Sequence, residues 1–213
     1  DVCSSVLKLV LAARGELLAL PADAPGETVH ALELAAHPYD PSTMETPLRG
    51  EELPGATHPD ETVLYTAHWD HIGMGEPDAT GDRIFNGAVD NASGTAGLLE
   101  LARMFGRAPR TERSIVMISF TGEESGLLGS EYYAVNPVYP LAKTVGGFNM
   151  DSMNVYGRVT GLGVTGYGQS DFDERLAAAI QPQGRTLVPD HENAAGTYYR
   201  SDHFPLAKRG VPM

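Results

Sequence analysis

The sequence has one cysteine, Cys3, so no intrachain disulfide can form and the fold must rest on burial and hydrogen bonding. Positive charge is also scarce. Fifteen Lys and Arg face 28 Asp and Glu, giving −13 at pH 7. A chain of that sign is not built for nucleic acid or an anionic membrane surface as its main partner. Long apolar runs are missing too. The best candidate, residues 6–20, is interrupted by Lys8, Arg14 and Glu16 and is expected to be an amphipathic helix rather than a membrane span. The chain opens at Asp1 without a basic n-region, so no intact signal peptide is expected within it. The Gly-rich run 157–168 lacks the Gly-Lys-Ser/Thr ending of a phosphate loop and is expected to form tight turns or bulges.

What is present suits one domain with a sizeable core. Residues 1–60 stand apart as an N-terminal segment: the helix, then a stretch with seven prolines between 21 and 60, expected to be a mostly irregular connection with one short strand at 28–34. From residue 61 to 213 the pattern alternates. Strands are expected at 62–67, 114–120, 144–150 and 159–165, and helices at 91–106, 125–135 and 171–181, the last capped by Ser170 or Asp171. The run 114–120 is apolar almost throughout, as in a strand buried on both faces. This alternation predicts an α/β fold: a three-layer sandwich with a mixed, mainly parallel central β-sheet flanked by helices.

The polar residues that follow the expected strands are of one kind. His68, Asp70 and His71 follow the first, Glu123 and Glu124 the second, and Asp151 the third. Sites in open α/β sheets form at the carboxyl ends of strands, so the three sets are expected to converge. Asp90, before the long helix, and Ser201-Asp202-His203 add two more clusters. Histidine and carboxylate without thiolate suit zinc, with cobalt or manganese able to substitute. The ligand supply exceeds what one tetrahedral zinc needs beside water, and would serve two ions about 3.5–4 Å apart that share a carboxylate. Glu123 and Glu124 could then divide the labour of ligand and general base. Taken singly, Asp90 reads as a helix N-cap and Glu123-Glu124 as a solvated first helical turn. A serine triad at Ser201-Asp202-His203 lacks the G-x-S-x-G elbow and would leave the other carboxylates unexplained.

Five motifs in order, TAHWDH (66–71), NGAVDNASG (86–94), TGEESGLLGS (121–130), NMDS (149–152) and RSDHF (200–204), resemble the secreted co-catalytic di-zinc aminopeptidases. Their superfamily also holds glutamate carboxypeptidase and glutaminyl cyclase. The resemblance implies two zinc ions per chain. His68, Asp90 and Asp151 would hold one, and Asp90, Glu124 and His203 the other. Asp70 would orient His68, and the Asp90–Asn91 peptide bond would be cis. Glu123 would be the general base for a metal-bridging water. Tyr198 and Tyr199 are candidates for supporting the oxyanion or contacting substrate. His71 is expected at the rim, in a structural role. The implied activity is release of N-terminal amino acids from peptides, by a bacterial protein that is secreted or periplasmic. Alternatives on the same site are carboxypeptidase or dipeptidase action, for which Arg200 alone is a thin carboxylate grip. Glutaminyl cyclase, with its single zinc, and a non-catalytic binding homologue fit the full ligand set less well. Family members continue past the equivalent of Gly210-Val211-Pro212-Met213 into a core strand and helix, so a shortened catalytic domain is expected.

Overall fold

The computed structural model describes residues 51–189 and 196–213. The helix expected at 6–20 and the strand at 28–34 lie outside them. Four strands form the main sheet: β1 (Glu51–Leu53), β2 (His58–His68), β5 (Arg113–Phe120) and β6 (Thr144–Asn149), in the order β1-β5-β2-β6. β2 is parallel to both β5 and β6, and β1 is antiparallel to β5. A two-residue ribbon pairs β3 (Gly73–Met74) with β4 (Ile84–Phe85), and β7 (Gly161–Val164) pairs in parallel with β8 (Thr186–Pro189). The helices are α1 (Ala92–Arg107), α2 (Leu128–Val135), α3 (Phe172–Ile180) and α4 (His203–Ala207).

The period-two alternation of a strand sends neighbouring side chains to opposite faces, and here both faces are covered. Ala67 of β2 and Ile115 and Met117 of β5 pack with Leu98 of α1, joined by Tyr65, Leu101 and Phe105. Leu64, Val116, Ile118 and Phe120 point the other way, onto Tyr133 and Ala134 of α2 and Leu206 of α4. A row of rings, Phe105, Tyr65, Phe148 and Phe172, crosses the α1 face with centroids 5.3–5.6 Å apart, so α3 covers that same face. The result is the expected three-layer α/β arrangement. Fully buried side chains such as Leu64, Leu98 and Met117 each contribute about 1.5–3 kcal/mol.

Several boundaries differ from expectation, each for a local reason. Residues 51–60, expected to be irregular, hold β1 and the start of β2. Ser114 Oγ ties them down by accepting from the Gly55 N–H at 3.0 Å and donating to the Pro59 carbonyl at 2.7 Å. Pro59 sits where the β2–β5 register shifts, the place a strand tolerates a proline. α2 starts at Leu128, not 125, because residues 121–127 form a compact turn that closes with Leu128 N–H to Gly122 O and Gly129 N–H to Thr121 O. Asp171 does occupy the N-cap position of α3 but makes no capping bond; it pairs with Arg175, and Ser170 Oγ accepts from the Phe172 N–H instead. No helix among the described residues is long and apolar enough to cross a membrane.

Candidate metal centre

The three parallel strands run the same way, so their carboxyl ends share one edge. His68 is the last residue of β2 and lies level with Phe120, the last of β5, while Thr66 lies level with Asn149, the last of β6. The chain leaves β5 into Glu123 and Glu124, and β6 into Asp151. Asp90 reaches the same edge from the loop before α1, across a cis peptide bond to Asn91. Asn91, not Asp90, caps α1, its Oδ1 accepting from the Gly94 N–H at 3.0 Å. That leaves the Asp90 carboxylate free to face the edge.

Two groups of ligand-type atoms form there, each with its atoms within 4.8 Å of one another. The first is His68, Asp90 and Asp151, with His68 Nε2 at 3.2 Å from Asp90 Oδ1 and 3.4 Å from Asp151 Oδ1. The second is His71, Asp90 and Glu124, with His71 Nδ1 at 2.6 Å from Glu124 Oε1. Asp90 belongs to both. His203 belongs to neither. As the first residue of α4 it is buried, its ring set edge-on against Tyr198, its Nε2 without a hydrogen-bond partner and its imidazole near enough to feel the Asp151 charge. The imidazole beside Glu124 is therefore that of His71, which the sequence places at the rim. The His68-x-x-His71 spacing just past a strand end is the signal for it. Tyr198 is engaged with the rings of His203, Tyr199 and Phe204, while the Tyr199 ring is open to solvent.

Neighbouring groups hold these side chains in place. His68 Nδ1 donates to the Asp70 carbonyl at 3.1 Å. The Asp70 carboxylate lies 3.7 Å from that nitrogen, too far for a hydrogen bond. It instead accepts from the Glu123 and Glu124 N–H groups at 3.2 and 3.3 Å. Asp70 therefore braces the turn that carries both glutamates, in addition to fixing His68 through its carbonyl. Gly122 at φ 69 lets the chain enter that turn. A chain of bonds runs from Thr66 Oγ1 to Asn149, from Asn149 Nδ2 to Ser201, and from Ser201 Oγ to Asp151 Oδ2 at 2.6 Å. It leaves Asp151 Oδ1 directed at His68. Gly94 has no room for a side chain, since a Cβ there would overlap Asn91 Oδ1 and the Met150 carbonyl. Gly94→Ala is expected to destabilise by about 1–3 kcal/mol, read as a lower Tm in thermal unfolding.

The charge pattern fits a bound cation. Asp70, Asp90, Glu123, Glu124, Asp151 and Asp202 gather at this edge, and among the described residues no Lys or Arg pairs with any of them. Asp90 Oδ1 is buried without a hydrogen bond. Burial, then the Asp151 and Glu124 charges, push Asp90 up. Burial lowers His68, but Asp151 and Asp70 beside it outweigh that and push the imidazole up to about 11. Burial is also the main reason Glu123 is pushed up to about 7, with Asp151, Asp202 and Glu124 adding to it and His68 opposing. Burial and like charge acting together on neighbouring carboxyls are what a reactive site uses to shift its groups.

Comparison with known proteins shows what the chain as a whole is similar to. The chain is 37% identical over 158 residues to the aminopeptidase YwaD of Bacillus subtilis, a match covering 72% of this chain and 31% of that protein. Its fold superposes on the crystal structure of BSAP, a zinc aminopeptidase from Bacillus subtilis, with a TM-score of 0.58 at 25% identity, covering 76% of this chain and 37% of that one. It also superposes on a glutaminyl cyclase from Porphyromonas gingivalis, with a TM-score of 0.53 at 25% identity, covering 72% and 57%. The chain thus spans about a third of the length of these two aminopeptidases. The model of Peptidase family M28 matches residues 51–213, and the chain belongs to that family.

Proposed function

We propose that this chain carries the catalytic centre of a zinc-dependent aminopeptidase that releases N-terminal residues from peptides. The observation that carries the reading is the pair of ligand groups sharing Asp90, with Glu123 beside them and in neither group. The M28 membership and the likeness to zinc aminopeptidases support it. His68, Asp90 and Asp151 would hold one zinc, and Asp90, Glu124 and His71 a second. When bound, the ions would polarise the scissile carbonyl and acidify the attacking water.

The remaining chemistry falls to the protein. Glu123, held by the Asp70 brace, accepts a proton from the water as its oxygen adds to the carbonyl carbon. As the C–N bond breaks, the same carboxyl returns that proton to the leaving amine. Ser201 and Asp70 keep Asp151 and the glutamate turn in register through both transfers. Export from the cell, as the resemblance to secreted aminopeptidases implies, is part of this reading, and so is a catalytic domain that takes in 61–213 and, before it, the strand residues of 51–60.

The test is zinc content per chain together with hydrolysis of aminoacyl-p-nitroanilides and of N-blocked peptides. About two zincs with cleavage of the free-amine substrate only is the expected result. Two zincs with cleavage confined to N-blocked peptides would turn the reading to a carboxypeptidase. Activity that survives full chelation would end it. The same assay separates the two histidines: His71→Ala is expected to lose about one zinc per chain, and His203→Ala to keep both. The opposite pattern would return the ligand role to His203.

A further inference from the structure

We propose that Asn91 is a positioning residue whose amide clasps the Asp90 and Asp151 segments together and so sets the spacing of the first metal position. The inference rests on the metal-site reading above. Asn91 is 1% exposed, and its amide makes three bonds. Oδ1 accepts from the Gly94 N–H at 3.0 Å, which is the helix cap. The other two bonds have nothing to do with capping. Nδ2 donates to the Met150 carbonyl at 2.9 Å, and Oδ1 also accepts from the Ser152 N–H at 3.2 Å. Met150 and Ser152 are the residues on either side of Asp151, and Asn91 itself follows Asp90. One side chain thus brackets the second carboxylate while its backbone carries the first.

Two further features place the same load on this contact. Ser152 sits at φ 50, a left-handed conformation that a residue with a side chain keeps only where its surroundings impose it. Ser93, in the first turn of α1, accepts from the Met153 N–H at 2.9 Å through Oγ and extends the clasp by one residue. The lack of a side chain at Gly94 is what lets the helix start approach this closely. Two like charges are in this way held in ligand spacing before any ion arrives, so an ion need not order them as it binds.

Asn91→Ser separates clasp from cap. Serine caps a helix about as well as asparagine but is too short to reach both Met150 and Ser152. Leu101→Ala, which loosens α1 packing away from the site, serves as the control for general destabilisation. Co2+ affinity by competitive chelation, the visible Co2+ spectrum, and Tm are measured on all three proteins. Asn91→Ser is expected to lower Tm no more than Leu101→Ala does, to bind Co2+ roughly 10- to 100-fold more weakly, and to change the spectrum, while Leu101→Ala lowers Tm only. Wild-type affinity in Asn91→Ser, or an equal loss in Leu101→Ala, overturns the clasp and leaves the metal site standing. A wild type that takes up no Co2+ overturns both. If Asn91→Ser does not fold, Ser93→Ala is titrated in its place, with a smaller loss in the same direction expected and an unchanged affinity overturning the proposal.

Discussion

Glu123→Ala is expected to lower kcat for aminoacyl-p-nitroanilide hydrolysis by about 10²–10⁴, or roughly 3–5 kcal/mol of barrier, while zinc content stays at the wild-type value. The separation of the two effects follows from position. Glu123 stands outside both ligand groups, yet the same burial and the same crowd of carboxylates act on it. Its backbone N–H is tied to Asp70, so truncating the side chain leaves the turn intact. A variant that loses zinc together with activity would make Glu123 a ligand. One that keeps activity would remove it from proton transfer.

Asp90→Ala should have the larger effect on metal. Asp90 is common to both groups, and its loss leaves His68 with Asp151 and His71 with Glu124, two ligands each. Zinc per chain is expected to fall from about two to well below one, and activity to background. Stability should respond with the opposite sign. In the metal-free protein Asp90 is raised above its ordinary range, so its charged form at pH 7 disfavours the folded state. Metal-free Asp90→Ala should then melt no lower than metal-free wild type, whereas with saturating zinc it should melt lower. Retention of one tight zinc by Asp90→Ala would show that the two positions do not depend on a shared carboxylate.

The parts of the site that can be read in one dimension are those fixed by strand ends. A parallel strand buried on both faces shows as an apolar run, and the polar residue that ends it is then exposed to inspection. His68, Glu123, Glu124 and Asp151 are visible in this way. The choice between His71 and His203 is not, because it turns on whether a loop or the first turn of α4 delivers an imidazole to Glu124, and both histidines sit in suitable motifs. The role of Asp70 is half legible, and that of Asn91 is not. A partner for His68 can be read, but the cap falls one residue after the Asp90 that the sequence offers, and the bonds to Met150, Ser152, Glu123 and Glu124 span more than 50 positions and exist only once the sheet has formed. β1, β3, β4 and β8 have two to four residues, too few for a period to show.

The placement of the ligands on separate strand ends has a consequence for the life of the protein. His68 and Asp151 meet although they are 83 positions apart along the chain. An unfolded chain offers a zinc ion scattered single ligands, and the folded one offers a cluster. Zinc is then a selective partner of the native state and draws the folding equilibrium toward it. Free zinc at 1,000 times its Kd would add about 4.1 kcal/mol, a large fraction of a domain's whole stability. Resistance to proteolysis should therefore follow the metal supply in the medium, and a batch made under zinc starvation would be cleared faster even with every residue of its sequence correct.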